Sequence, residues 1–581
     1  MERNIFSAVK KRLRLPSSGE LLYILKNFSQ KERVTFSILT VIFLSTAVVL
    51  LWKANNYISI TVPGEGGELM EGIVGTPRSL NPLLAISDAD RDMASLIYSG
   101  LMRSDNKGGL MLDLTEKYEI SEDGLEYTFT LKPDLEWSDG EKLTSDDIVF
   151  TIQQTTDPIL KSPRRASWEG VDVVKIDDCT VKFILQKPYA PFLENTTIGI
   201  MPKHLWKDAS SELMALSDLN IKSIGSGPFK IKDVNRDSSG IITSYTLIPN
   251  AKFALGKPYI KKLVVKFFSS ETKMIDAFRK GEINSLGAVP PQIINELQLK
   301  DSKLKVFSLP RVFGLFFNQN NSKIFTQKEV HDALTTGTNR EKIVQEVLKG
   351  FGIELNNAIP PGSFGALEDN EKNEFSLEKA KSILEKNGWS LNENGIMEKK
   401  IKKETITFEF SISTSNIPEL KQVAEILKST WEQLGAKIDI KVFEIGDLNQ
   451  NVIRPRKYDA LLFGEIVGRD PDPFVFWHSS QRNDPGLNIA LYTNPSVDKI
   501  LEKARTVSDE NERKDLYKKF QEEMKRDLPA VFLYSPYYIY IVPRELKGID
   551  EEISTTIPSE RFSQIYKWYM DTDRVWKIFS R

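Results

Sequence analysis

The chain has 581 residues, of which 40% are hydrophobic and 27% are charged, and its formal net charge is −2. This composition is that of an ordinary globular protein, and the lack of a basic stripe argues against a nucleic-acid partner. The single cysteine, Cys179, excludes an intramolecular disulfide framework, so the fold has to be stabilised by its core. More than 500 residues follow Tyr57, which exceeds what one hydrophobic core usually supports, so we expect two or three lobes.

The most apolar stretch of the chain is Val34–Trp52, which has 19 residues and no charged side chain. As a helix with a rise of 1.5 Å per residue it would span about 28 Å, close to the ~30 Å hydrocarbon core of a membrane. Residues 1–33 carry eight Lys/Arg against three Glu, whereas Lys53 is the only cation between the stretch and Arg78. By the positive-inside rule this asymmetry predicts a cytoplasmic N-terminus and puts the rest of the chain outside the membrane.

A cleaved signal peptide is the alternative interpretation of this stretch. Signal peptides have only about 7–15 apolar residues close to the N-terminus, and the small-residue triplet Ser45-Thr46-Ala47 lies inside the apolar run rather than after it. We therefore predict an uncleaved, single-pass anchor in the cell membrane. The predicted boundaries are a cytoplasmic segment at 1–33, a transmembrane signal anchor at 34–53 and a linker at 54–66.

The first half of the folded part shows short alternating runs, turn clusters and amphipathic segments. Thr144-Ser145-Asp146-Asp147 resembles a capping box, with Thr144 as the N-cap of a helix. The patterns predict a strand running into a loop at Leu69–Leu84, a helix at Asp88–Leu101, a strand at Tyr127–Leu131, a hairpin over Val171–Leu185, a strand at Tyr259–Phe268 and a helix at Glu271–Lys280.

The second half contains a strand–helix–strand pattern. Apolar residues alternate over Thr405–Ile412, recur at helical spacing over Leu420–Leu434, and alternate again over Ile438–Val442. This order predicts a right-handed βαβ unit. The patterns that follow predict a strand at Tyr458–Ile466, helices at Val497–Ala504 and Glu512–Met524, and an aromatic, strand-rich stretch at Ala530–Val542.

The sequence gives little reason to expect catalysis or a metal site. The three histidines, His204, His331 and His478, lie far apart and lack ligands at metal-binding spacing. Ser496 and Lys499 match a Ser-x-x-Lys nucleophile pattern without its companion motifs, so we expect Ser496 to cap the helix that follows. Asp470 and Asp472 could do acid–base work, but their Asp-Pro-Asp-Pro sequence is also typical of a rigid turn. We therefore expect a protein without enzymatic activity or cofactor, in which these two acids line a cleft or fix a turn.

A set of short segments in chain order carries a family resemblance. They are Gly75–Leu83, Ile97–Leu101, Trp137–Gly140, Asp146–Phe150, Gly225–Phe229, Gly256–Tyr259, Phe316–Asn318, Asp470–Phe474, Asn488, Asp498 and Asp527–Pro529. Each motif alone is weak, but together and in this order they resemble the extracellular solute-binding proteins of family 5. These are the substrate-binding components of ABC importers of the peptide and nickel type. The resemblance covers nearly all of Gly67–Glu545.

The resemblance implies an α/β fold, the periplasmic-binding-protein-like two-lobed clamshell (class II, three domains), after an N-terminal transmembrane helix. Ligand would lie in the cleft between the lobes and be enclosed by hinge closure. The bodies implied are a large lobe from 67–101, 221–310 and 529–581 (which includes the C-terminal tail), an inserted small domain at 102–220, and a second α/β lobe at 311–528.

In function, the resemblance implies a membrane-anchored receptor that captures peptides or similar small solutes outside the cell, or in the periplasm, and delivers them to ABC permease subunits. The alternative is a membrane-anchored ligand-sensing or protein-interaction module that keeps the fold without transport. Peptide-binding members hold the amino terminus of the ligand with an Asp shortly before the Asp-Pro turn. An ungapped match places Val467 at that position and a shifted match places Asp470 there, so both peptides and other solutes stay open.

Seven residues are expected to contact the ligand. The predicted strand Tyr458–Ile466 ends just before the Asp-Pro turn, and α/β sheets bind ligands outside the carboxyl ends of their strands. An aromatic residue, Trp477, would be either a platform for the ligand or part of the core. The expected contacts are Asn81, Gly464, Glu465, Asp470, Asp472, Trp477 and Tyr534. Three of them are acidic, so this wall would favour a ligand with a free amine or another cation.

Overall fold

The computed structural model of the protein describes Gly19, Tyr23 and residues 26–367, 374–551 and 553–579. Most of the predicted cytoplasmic segment 1–33 therefore lies outside the described residues. The chain forms two compact units, of which the smaller comprises Met1–Gly64 and Asp571–Arg581 and the larger comprises Glu65–Met570.

Helices and strands are numbered along the chain. The strands are β1 (Ser59–Pro63), β2 (Gly66–Val74), β3 (Met102–Ser104), β4 (Leu110–Leu112), β5 (Thr115–Ile120), β6 (Glu126–Leu131), β7 (Val171–Asp177), β8 (Thr180–Leu185), β9 (Phe229–Arg236), β10 (Ile242–Pro249), β11 (Ile260–Phe268), β12 (Ser285–Leu286), β13 (Ser302–Ser308), β14 (Arg311–Phe317), β15 (Gly352–Glu354), β16 (Ser390–Leu391), β17 (Met397–Ile401), β18 (Glu404–Thr407), β19 (Glu409–Ser415), β20 (Lys437–Phe443), β21 (Ala460–Ile466), β22 (Ala530–Pro543), β23 (Ile553–Ser554) and β24 (Thr572–Trp576). The helices are α1 (Gln30–Ile58), α2 (Asp88–Ile97), α3 (Ser145–Thr156), α4 (Arg165–Trp168), α5 (Lys203–Trp206), α6 (Ser211–Met214), α7 (Glu271–Arg279), α8 (Lys328–Thr336), α9 (Arg340–Val347), α10 (Leu377–Lys386), α11 (Pro418–Trp431), α12 (Ile445–Asp447), α13 (Phe474–Trp477), α14 (Pro495–Thr506) and α15 (Glu510–Asp527).

The smaller unit contains α1, which includes the predicted span 34–53 and begins at a capping box between Ser29 and Glu32. Within the described residues, α1 is the one helix long and apolar enough to cross a membrane. Signal sequences near an N-terminus share these properties, so the helix alone does not distinguish an anchor from a signal peptide.

The segment 54–66, expected to be a linker, is largely regular structure, because α1 continues into it and β1 pairs antiparallel with β24. From Asp571 onwards the C-terminal segment therefore belongs to the smaller unit and not to the large lobe.

A sheet of 13 strands runs through the larger unit. The strands β20, β19, β21 and β14 form its half in the second lobe, and β12, β2, β11, β10 and β9 form its half in the large lobe. The long strand β22 joins the halves, since its first residues pair with β14 and its later ones with β13 and β12. Its apolar and aromatic residues are buried almost throughout, as expected for a strand covered on both faces. The strand predicted at Ala530–Val542 is thus confirmed.

The chain crosses between the two lobes at two adjacent places. One is Leu309-Pro310, between β13 and β14. The other is Ser535-Pro536 within β22, where the strand exchanges β14 and β15 for β13 as its partner. The Ser535 hydroxyl donates a hydrogen bond to the Leu309 carbonyl at 2.8 Å, which ties the crossings together. The lobes are therefore joined by paired strands rather than by loops.

The predicted βαβ unit is present as β19, α11 and β20, with parallel strands and Phe410 opposite Ile438. α11 begins at Pro418, where the missing N–H of proline costs no helical hydrogen bond. The single strand predicted over Thr405–Ile412 is wrong. It divides at Phe408, because β18 pairs with β17 in a separate sheet whereas β19 joins the large one. The alternation persists across the break because Phe408 is fully buried in the core of the second lobe.

Two helix starts test the capping predictions. α3 begins after Thr144, whose N–H donates to the Asp147 carboxylate at 2.9 Å, so the predicted capping box is confirmed. The expected capping role of Ser496 is wrong, because α14 begins one residue earlier at Pro495. Its N-cap is Asn494, whose side chain accepts hydrogen bonds from the backbone of the first turn.

The inserted domain is built on an antiparallel sheet in the order β5-β6-β8-β7, which confirms the hairpin predicted over Val171–Leu185. Its core brings aromatic rings together, with Phe183 in contact with both Trp168 and Phe192. Phe192 belongs to the 3-10 helix Ala190–Thr197, so this core also fixes that helix.

Candidate functional site

A cavity of about 520 Å³ lies inside the larger unit, where the large lobe, the inserted domain and the second lobe meet. The large lobe lines it with α2 and the 3-10 helix Pro558–Phe562, and the inserted domain with α4 and the 3-10 helix Ala190–Thr197. The second lobe contributes Ile466 at the end of β21 and Gly468 and Asp470 in the turn that follows. Ligand pockets have volumes of about 300–1,000 Å³ and occur preferentially between domains, so this cavity is the candidate binding site.

One arginine of the second lobe joins all three bodies beside the cavity. Arg469 Nη1 donates to Glu194 Oε2 of the inserted domain at 2.7 Å, and Nη2 donates to Glu560 Oε2 of the large lobe at 2.9 Å. The Arg469 side chain is only 6% exposed. The planar guanidinium presents several donors in a fixed fork, which suits two carboxylates at once. We call this set of three residues the Arg469 bridge.

The Arg469 bridge contains two carboxylates and one guanidinium, and these charges shift the pKa values of Glu194 and Arg469. Burial raises the pKa of Glu194 to about 7; Arg469 opposes the rise, whereas the negative charges of Glu560 and Asp470 add to it. Burial lowers the pKa of Arg469, but its two carboxylate partners outweigh this and hold it above its ordinary value. The arginine is therefore charged at every physiological pH, while Glu194 titrates near neutrality.

A second contact between the inserted domain and the second lobe involves Asp472. Arg505 binds this carboxylate with two hydrogen bonds, from Nε at 2.8 Å and from Nη2 at 2.6 Å. The Tyr189 hydroxyl of the inserted domain donates to Asp472 Oδ2 at 3.3 Å. The Arg505 guanidinium also lies over the Phe474 ring at 3.9 Å from its centroid. Asp472 therefore links the two bodies and accepts three hydrogen bonds from protein groups.

The cavity-lining Asp470 is also paired inside the second lobe. It forms an ion pair with Arg513 and accepts a hydrogen bond from the Tyr517 hydroxyl at 3.1 Å. Burial raises its pKa, and the guanidinium beside it opposes the rise. The carboxylate is held against α15, which carries both partners.

Three arginines line the cavity from the large lobe and the inserted domain. Arg103 forms an ion pair with Asp113 at 2.8 Å, and Arg91 forms one with the exposed Asp88 at 3.3 Å. Arg164 lies at the wall, and no carboxylate of the described residues forms an ion pair with it. Arg164 adds a positive charge to the wall, and the negative charge of Glu560 partly offsets the fall that burial causes in its pKa.

A buried ion-pair triad fixes the 3-10 helix that carries Glu560. Arg561 Nη2 lies 2.7 Å from Asp92 Oδ2 on α2 and 3.0 Å from Glu71 Oε1 on β2, and all three side chains are almost completely buried. Arg561 Nη1 also donates to the Pro558 carbonyl at 2.9 Å. The triad therefore presents Glu560 to the cavity from a rigid base.

Of the seven residues expected to contact ligand, Asp470 lines the cavity. Asn81 precedes a lining residue, Pro82, but is itself fully buried, and its amide oxygen accepts a hydrogen bond from the Leu83 N–H at 2.9 Å. Gly464 lies against the Phe313 ring, which leaves no room for a side chain there. The structure thus brings one of these three residues to the cavity, and the contact roles of the other two stay predictions.

The two aromatic candidates, Trp477 and Tyr534, lie in the core of the second lobe with about 2% of each residue exposed. Trp477 contacts Phe316 and Phe532, and Tyr534 stacks on Phe313 with 4.9 Å between the ring centroids. For Trp477, which the sequence leaves open between platform and core, the structure shows core packing. Neither ring lines the cavity in this structure.

The acidic wall expected from Glu465, Asp470 and Asp472 is not an open one. The two aspartates are each paired with an arginine. Glu465 is buried, its Oε1 atom has no hydrogen-bond partner, and burial raises its pKa well above the ordinary value, which favours the neutral form. The electrostatic reason for expecting a cationic ligand at this turn is therefore absent.

Sequence reasoning missed Glu194, Glu560 and Arg469. The two acids are 275 and 91 positions from Arg469 in the chain, and no local pattern links them. Arg469 itself directly precedes the Asp-Pro-Asp turn, and that position was the one available signal. Among the described residues, no group of three or more His, Cys, Asp or Glu is placed to hold a metal ion.

Comparison with known proteins identifies the family of this fold. The model of bacterial extracellular solute-binding proteins, family 5 Middle, matches residues 109–486, which is more than half of the chain. The chain is 28% identical to the oligopeptide-binding protein AppA of Bacillus subtilis over 518 residues, or 87% of this chain and 92% of that protein. It is 25% identical to the dipeptide-binding protein of Escherichia coli over 501 residues, or 82% of this chain and 90% of that protein.

Solved structures show the same two-lobed α/β fold. AppA from Bacillus subtilis in complex with a nonapeptide matches with a TM-score of 0.67 and 27% identity, over 88% of this chain and 100% of that one. NikZ from Campylobacter jejuni in complex with Ni(L-His) matches with a TM-score of 0.69 and 26% identity, over 86% of this chain and 99% of that one. The chain belongs to the bacterial extracellular solute-binding proteins, family 5.

Proposed function

We propose that the protein is a membrane-anchored extracellular receptor that captures a peptide or a similar small solute in the cavity and delivers it to the permease of an ABC importer. The observation that carries this proposal is the cavity between three bodies, with the Arg469 bridge at its wall. Relatives are oligopeptide- and dipeptide-binding proteins, and solved relatives hold a nonapeptide or Ni(L-His). The cavity volume lies within the range of small-solute sites.

The contacts that close the cavity suit reversible opening. The Arg469 bridge and the hydrogen bond between Tyr189 and Asp472 join polar groups, which water can solvate when the lobes separate. The two strand crossings between the lobes lie side by side and provide a hinge. Binding would then proceed by closure of the second lobe over a solute that the other two bodies already touch.

Anchoring through α1 is the second part of the proposal. It is supported by the uncharged run Val34–Trp52 and by the excess of Lys/Arg in residues 1–33. Mass spectrometry of the mature protein should find the N-terminus before residue 34. Protease added to right-side-out vesicles should digest Glu65–Met570. An N-terminus after residue 45, or protection of the larger unit, would contradict the anchored topology.

The bound solute can be identified directly. Mass spectrometry of the purified, denatured full chain should reveal a released small molecule. Ser95 lines the cavity, so the large side chain of Ser95→Trp should obstruct it and reduce the released amount at least tenfold. Glu385→Trp, on the exposed face of α10, is the matched control and should retain the solute. Equal release from Ser95→Trp and the control would place the solute elsewhere.

Transport is tested separately from binding. Uptake of the identified solute, isotopically labelled, should fall in cells whose only copy carries Ser95→Trp and should be normal with Glu385→Trp. If the wild-type protein binds the solute but its deletion leaves uptake unchanged, the ligand-sensing module without transport is the correct function.

A further inference from the structure

Among the residues that the structure describes, each carboxylate that lines the cavity has a partner within the protein. Asp113 pairs with Arg103, and Asp470 pairs with Arg513. The remaining two lining carboxylates belong to the Arg469 bridge. A ligand ammonium that approached this wall would therefore compete with guanidinium groups that are already in place.

Arg469 is an especially strong competitor. It is part of the chain, so its effective concentration at the two carboxylates is high, and a free amine has to displace it from both. Its side chain is almost completely buried, and its guanidinium donates one hydrogen bond to one oxygen of each carboxylate. Truncating it would leave Glu194 and Glu560 near each other without the guanidinium that binds both, which is costly for partly buried charges.

We propose that Arg469 is a specificity-determining residue, which supplies the counter-charge of Glu194 and Glu560 so that the cavity does not select its ligand by a free amine. This inference rests on the proposed function and deepens it by naming the ligand class. The cavity takes solutes whose recognised groups are neutral or anionic, such as peptides with a blocked amino terminus. Recognition of neutral or anionic groups thus takes the place of the amine recognition that the sequence suggests for the turn after β21.

The first test asks whether removal of Arg469 creates a cation site. The full chain in detergent is melted in methylguanidinium chloride or in sodium chloride at the same concentration, near 50 mM. Arg469→Gly should have a lower midpoint than wild type, and methylguanidinium should raise it by about 1–2 °C relative to sodium chloride. Wild type should show no such difference, because the Arg469 guanidinium already binds one oxygen of each carboxylate.

Two variants serve as matched controls. Arg164→Met removes one positive charge from the same cavity wall without freeing a carboxylate pair, so it should show no methylguanidinium effect. Arg469→Lys keeps the charge but not the fork, so its methylguanidinium effect should be smaller than that of Arg469→Gly. A methylguanidinium effect of equal size in wild type and Arg164→Met, or its absence in Arg469→Gly, would overturn the proposal.

The second test uses tri-alanine and N-acetyl-tri-alanine in calorimetry, with Arg469→Met as a variant that keeps the side-chain volume. Wild type should bind both peptides within about threefold, whereas Arg469→Met should prefer the free amine by roughly 10- to 150-fold. A tenfold preference of wild type for the free amine would refute the proposal. If wild type binds neither peptide, the peptide part of the proposed function fails, and the methylguanidinium measurement alone decides the role of Arg469.

Discussion

Replacing Arg561 by methionine should destabilise the larger unit by several degrees, because it leaves Glu71 and Asp92 buried without their counter-ion. Removing one partner of a buried ion pair costs about 3–5 kcal/mol. A cooperative unit of about 500 residues has an unfolding entropy of roughly 1 kcal/mol per kelvin near its midpoint. The expected fall of the thermal midpoint is therefore about 3–5 °C at pH 7.5.

The pH dependence of this fall in the thermal midpoint gives a second readout. Burial raises the pKa of Asp92 to about 6 even though Arg561 opposes the rise, and loss of the guanidinium raises it further. At pH 5 the carboxyl of the variant is therefore protonated and no longer a buried charge. The difference in midpoint between wild type and Arg561→Met should shrink from pH 7.5 to pH 5, measured by melting the full chain in detergent.

Two controls separate burial from charge. Arg561→Lys keeps the positive charge, so its thermal midpoint should fall by less than that of Arg561→Met. Lys437→Met breaks an exposed ion pair with Glu409 and should move the midpoint by less than about 1 °C. A fall below about 1 °C for Arg561→Met at pH 7.5, or a fall of the same size at both pH values, would refute the reasoning.

Three further changes have expected outcomes. Because the pKa of Glu194 is raised from 4.5 to about 7 by burial, deprotonation costs the folded state more than the unfolded state. The wild-type midpoint should therefore fall relative to Glu194→Gln as the pH rises through this interval, and parallel pH profiles would contradict it. Tyr189→Phe removes the hydrogen bond to Asp472 and should weaken closure by about 0.5–1.5 kcal/mol, or roughly 2- to 10-fold in the affinity for the co-purified solute by calorimetry. Unchanged affinity would mean that this bond is not part of closure. Burial lowers the pKa of His331 from 6.5 to about 4, so stability should fall as the pH drops through that interval, with a shallower slope in His331→Gln. Equal slopes would place the acid sensitivity elsewhere.

Local patterns predicted much of the fold. The βαβ unit and the hairpin at Val171–Leu185 follow from hydrophobic periodicity, which depends only on which side of an element is buried. The capping box at Thr144 follows from a hydrogen bond that closes within four residues. The capping role expected of Ser496 failed for a similar local reason, since Asn494 with Pro495 is a stronger helix start.

The candidate site was less predictable, because its contacts join distant parts of the chain. Asp470 was found since it shares a turn with the end of β21, but nothing local shows that Arg513 neutralises it. The aromatic character of Trp477 fits a ligand platform and a core equally well, and only the packing around it decides. Charge pairing across bodies depends on tertiary placement, so the sequence suggested an acidic wall where the structure has ion pairs.

The double crossing at Ser535-Pro536 and Leu309-Pro310 has a mechanical consequence. Two hydrogen-bonded strands resist stretching and sliding but still allow a change of twist, whose normal range between neighbouring strands is about 10–35°. The relative motion of the lobes is thus limited to essentially one rotation. Spectroscopic labels at several positions on the two lobes should therefore report distances that change together, as a single rotation requires. Domain rotations of this kind take microseconds to milliseconds. The rate at which such a receptor closes on its solute would then depend on how easily this pair of strands twists.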